Sequence, residues 1–202
     1  MSLIFKPEPS EVTDAVKTGL NKMHAQRAFG TPRLARIHDD RADLATPTSI
    51  PLPLQALPIY TLGLNALANG KDFAAANQTG WRYLLKHENE VIASADAVIG
   101  LGREPEFADV SEGPLVTGLD SAIQAANSEK SLENGEYEVR ILMVPALYVA
   151  ALWLVDTVEG HDLAIPIDPA PSQLIPNKVV TGKELLAVLQ KAAIHRRQLK
   201  RS

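Results

Sequence analysis

Cysteine is missing from this 202-residue chain, which excludes disulfides, thiolate nucleophiles and cysteine-held zinc or iron–sulfur centres. An excess of positive charge is missing too: 20 Lys and Arg against 24 Asp and Glu leave a net charge of −4. A protein whose main partner is nucleic acid needs the opposite balance to neutralise phosphates. The apolar stretch between Arg140 and Asp156 holds fifteen uncharged residues, short of the about 20 that a membrane helix needs. Pro145 also interrupts it, so no membrane span is expected. The first ten residues lack a basic region followed by an apolar run, so no secretory signal is visible and the expected location is cytoplasmic. Gly100-Leu101-Gly102 is no dinucleotide fingerprint, because Pro105 stands where the third glycine belongs. Gly182-Lys183 is no phosphate loop: Glu184 follows it and Asn177 holds the upstream glycine position. There is no Gly-x-Ser-x-Gly elbow.

What is present is ordinary for a globular domain: 46% hydrophobic and 22% charged residues, in a length suited to one domain over 1–202. Glu136–Val144 and Ala146–Val155 read as two extended, largely covered pieces turned at Pro145 by a bulge or corner. Glu138 and Arg140 alternate with Val139 and Ile141, so the first piece begins with one wet face. Trp81, Tyr83 and Leu85 alternate on a strand that a four-residue turn, His87–Glu90, returns through Val91–Ile99. Ile59–Leu62 and Leu163–Ile165 read as further short strands.

Three longer helices are expected, besides a short one over Leu64–Asn69 ended by Gly70. Val12, Val16, Leu20 and Met23 recur at helical spacing after Ser10, a candidate N-cap. Leu119, Ile123 and Ala126 mark a second helix ending near Asn127. Thr181-Gly182-Lys183-Glu184 is a capping box opening the last, with Leu185, Leu189 and Ala193 inward. The fold predicted is α+β: a mainly antiparallel sheet of about five strands covered by two or three helices. A proline-rich extended segment, 30–58, packs on its surface or on a partner, and 191–202 forms a basic C-terminal tail.

For function the pattern favours a non-catalytic protein-binding, structural or assembly component acting through protein–protein contacts or self-association. The proline-rich stretch supplies Leu52 and Leu54, and the tail supplies Arg196, Arg197 and Lys200, as candidate partner contacts. The acidic span 86–138 opposes that basic end. Such cations also complement a helix dipole without any partner. The alternative is an enzyme or small-molecule binder with a pocket between the sheet and the 30–58 segment, using His38, Asp39, Arg82 or Tyr148. A third reading is weak nucleic-acid contact through the tail. No metal or cofactor is called for: His38-Asp39-Asp40 has no second histidine at ligand spacing and reads as a polar turn. His161-Asp162 reads as a strand-start turn, although it has the residues of half an acid–base pair.

Overall fold

The computed structural model describes residues 2–26, 28, 56–87, 90–100, 102–129, 135–158 and 160–199. In chain order they form β1 (Ser2–Ile4), α1 (Ser10–Ala25), β2 (Ala56–Thr61), α2 (Leu64–Ala68), β3 (Asn77–His87) and β4 (Glu90–Val98). Then come β5 (Glu106–Ser111), α3 (Pro114–Ser128), β6 (Glu136–Val144), β7 (Val149–Asp156), β8 (Leu163–Pro166), β9 (Val180–Thr181) and α4 (Gly182–Leu199).

The β6–β7 hairpin is the spine. Its ladder runs in register from Tyr137↔Asp156 to Val144↔Val149. Alternation then sorts the side chains: Val139, Ile141, Leu152 and Leu154 point to one face, and Leu142, Val144, Ala151 and Trp153 to the other. Both faces are apolar because both are covered. Pro145 opens a single 3-10 turn, Pro145–Leu147, the corner expected from a residue that cannot donate to a ladder.

Among the described residues nine strands, this hairpin included, join one sheet in the order β5-β4-β3-β2-β6-β7-β8-β9, with β1 also on β6. This corrects the expectation of about five mainly antiparallel strands. The sheet is mixed: β1 and β2 both run parallel to β6, at its start and its end respectively. The remaining pairings are antiparallel. Ala56, Leu57 and Pro58, placed by sequence in the extended arm, belong to β2. Pro58 is tolerated there because the β6 ladder begins only at Ile59. The rest of that arm, with Leu52 and Leu54, lies outside the described residues.

One sheet face carries α3, whose Val116, Leu119, Ile123 and Ala126 pack on Leu57, Leu84, Val139 and Leu152. The other carries two separate blocks. Val12, Val16 and Leu20 of α1 cover Trp81, Tyr83, Ala93, Ala95 and Ala97, while α2 and α4 cover Leu142, Ala151, Trp153 and Ala164. Gly19, a weak helix former, is explained by Phe107 of β5, whose ring lies where a Cβ would stand. Ser10 is not the N-cap; Pro9 takes that place and Ser10 is the first helical residue. The capping box forms as its spacing implies: Thr181 N–H donates to Glu184 Oε2 (2.7 Å) and Glu184 N–H to Thr181 Oγ1 (3.2 Å). The Thr181 amide and hydroxyl, both donating to Glu184 Oε2 at 2.7 Å, hold that carboxyl below its usual range. The basic tail is largely helix, since α4 continues to Leu199.

Candidate functional site

Val144 leads into the 3-10 turn, and the chain needs one sharp reversal to re-enter the sheet at Val149. Tyr148 supplies it in the left-handed conformation, φ 55° and ψ 41°, which a residue with a Cβ adopts at a cost of roughly 1–2 kcal/mol. Its side chain is 78% exposed. Facing this corner is the flank of α4 beside its buried stripe, where Val188, Lys191, Ala192, His195, Arg196 and Leu199 recur at helical spacing. Corner and flank enclose an open groove of about 480 Å³. Its charged side chains are cationic, Lys191 and Arg196, and no carboxylate is among its described lining residues.

Two residues singled out separately in the sequence, Tyr148 as a ligand contact and Arg196 as a partner contact, thus meet here. His195 lies within the 191–202 segment and is not among the candidate contacts drawn from the sequence. Its spacing from Lys191 and Leu199 carries a signal, but only the position of the corner gives that signal meaning. Arg197 turns away and donates from Nη1 to Asn69 Oδ1 at 3.0 Å, tying α4 to the end of α2. His38, Asp39 and Lys200 lie outside the described residues.

Arg82 is elsewhere. It shares the α3 face with Leu57 and Leu84, and it grips Asp96 of β4 in a fork: Nε to Oδ1 at 2.8 Å and Nη2 to Oδ2 at 2.7 Å. With side chains only 8% and 19% exposed, the pair has the bidentate geometry of a structural ion pair between strands. It stands on the opposite side of the sheet from Tyr148.

A second hollow of about 460 Å³ lies at the start of α4, beside Phe73, His161, Asp162 and Lys183. Asp162 is fully engaged in structure: Oδ2 accepts the Trp153 indole N–H at 2.8 Å, and Oδ1 accepts the Asp156 amide at 3.2 Å. Between the two helical blocks, Arg140 lies over both Tyr60 and Trp153, 4.6 and 4.9 Å from their ring centres. Its Nε donates to Glu138 at 2.8 Å, and that bond holds the Glu138 carboxyl below its usual range. Among the described residues no three His, Asp or Glu side chains gather as a metal site would require, and no helix is long and apolar enough to cross a membrane. No family model matches the chain, and no curated protein or solved structure does either.

Proposed function

We propose that this protein is a non-catalytic protein-binding component whose contact surface is the groove between Tyr148 and α4. The observation that carries the reading is Tyr148 itself. A large aromatic ring, 78% exposed, is placed at an open groove by a left-handed backbone, and residues in such costly conformations cluster at functional sites. Tyrosine offers much contact area for little lost freedom, which makes it a frequent anchor at interfaces. Beside it, Lys191 and Arg196 favour carboxylates, while Val188, Ala192 and Leu199 favour apolar side chains. The occupant that fits is an acidic, partly apolar protein surface.

Fluorescence anisotropy tests this with a labelled peptide of alternating Glu and Leu, and a Lys/Leu peptide as control. The acidic peptide binds, more weakly as salt rises, and binding falls in Tyr148→Gly and Arg196→Glu. Equal binding of both peptides, or binding that ignores both substitutions, removes the groove from consideration. A short single-stranded RNA in the same assay addresses the nucleic-acid reading, for which a chain of net charge −4 supplies little electrostatic attraction.

A further inference from the structure

The surface that matches this groove is on the protein's own far side. Strand β5 ends the sheet and is bonded, among the described residues, to β4 alone. Glu106 and Asp109 on it, and Glu104 just before it, are exposed, and Arg103 offsets only one of those charges. Beside Glu106 in the ladder stands Val98 of β4, 46% exposed. That is an acidic, partly apolar edge. The groove belongs to α4, which packs on β8 and β9 at the opposite end of the same sheet. The two complementary surfaces therefore sit at opposite ends of one molecule, with the strands between them, and cannot meet within a chain. Pairing of two β5 edges with each other is disfavoured by Glu106 and Asp109, since charged residues on an edge strand oppose self-pairing.

We infer that the groove of one copy receives the acidic β5 edge of a second copy, so that the protein assembles head to tail. The inference rests on the protein-binding reading of the groove and names its partner. A contact between two different surfaces leaves one groove and one edge unfilled at the ends of any pair. Such assembly grows into larger species or closes into a ring, and does not stop at a twofold dimer.

Sedimentation velocity of the full chain over a concentration series tests it, at about 0.05 M and about 0.5 M salt, where screening differs severalfold. At low salt the wild type forms dimers and larger species, and at high salt these dissociate. One variant, Lys191→Glu with Arg196→Glu, has a disabled groove. A second, Glu104→Gln with Glu106→Gln and Asp109→Asn, has a disabled edge. Each alone loses all mass above the monomer, with circular dichroism unchanged. Mixed together they form a one-to-one dimer and nothing larger, because only one working contact remains. A wild type that stays monomeric at low salt, or association that survives in either variant, overturns the inference. Binding of the Glu/Leu peptide by such a monomer leaves the groove as a site for another protein; absence of both results removes the two readings together.

Discussion

Removing half of the Arg82–Asp96 pair exposes what that arginine is for. Asp96→Asn keeps the shape of the side chain but leaves a guanidinium whose side chain is 8% exposed facing a neutral amide. Breaking one half of a buried pair costs about 3–5 kcal/mol, because the remaining charge has lost both its partner and its water. Asp96 is 19% exposed, so some water can reach the gap and the low end, about 3 kcal/mol, is expected. In a chain of this length that lowers the melting temperature by roughly 6–12 °C. Replacing both residues with apolar ones of similar size, Arg82→Met with Asp96→Leu, returns stability to within about 1 kcal/mol of wild type. Urea unfolding reads both values, provided the slope against denaturant is unchanged. A cost below about 0.5 kcal/mol for Asp96→Asn, a typical surface change, or a double variant as unstable as the single, would contradict a buried structural role for the pair. Peptide binding at the groove, on the other side of the sheet, stays at the wild-type level in both.

Tyr148→Gly trades relief of left-handed strain against extra freedom in the unfolded chain, so its stability stays within about 1 kcal/mol of wild type. Its affinity for the Glu/Leu peptide falls by roughly tenfold or more, about 1.4 kcal/mol. Thr181→Ala removes the acceptor for the Glu184 amide and lowers stability by about 1 kcal/mol in urea unfolding, whereas Thr181→Ser stays near wild type. Burial raises the Tyr83 phenol to about 12, against a smaller lowering by its hydrogen bond with Thr13. Its neutral form is thus favoured by folding, so this stabilisation is complete below the ordinary value of 10.0 and is lost between there and about 12. Across that window wild type loses stability relative to Tyr83→Phe, with ultraviolet absorbance reporting the ionisation. Gly118→Ala puts a methyl group against the backbone of Asp168, where nothing flexible can yield, and a loss of about 1–3 kcal/mol in thermal unfolding is expected.

Features whose cause lies within a few residues were legible in the sequence. The capping box needs only Thr181 and Glu184, and the β3–β4 hairpin needs alternation on either side of one turn. The β6–β7 corner followed from Pro145 in an apolar run. What escaped depends on distant partners. β1 is three residues long, and its reason for being extended is the edge of β6, more than a hundred residues away. β5 has polar residues along much of its length because it ends the sheet, and it reads locally as an acidic loop. The parallel pairing of β2 with β6 follows from the route of the chain through β3, β4, β5 and α3, which no local pattern encodes. Tyr148 illustrates the same limit at the candidate site. Strand parity relates it to Trp153 only if both lie on one strand, and its left-handed corner places it outside that rule. Arg82, Tyr148 and Arg196 are separately conspicuous in the sequence, but only the fold joins two of them and assigns the third to Asp96.

Hydrogen–deuterium exchange on the wild type, with and without the Glu/Leu peptide, tests most directly that the covered β6–β7 hairpin presents Tyr148 as a contact surface. Without peptide, amides within 139–143 and 150–154 exchange slowest and those at 146–148 rapidly. With peptide, new protection appears at 145–149 and along 188–199. Fast exchange throughout β6 and β7, or peptide-induced protection confined to other parts of the chain, would contradict the account.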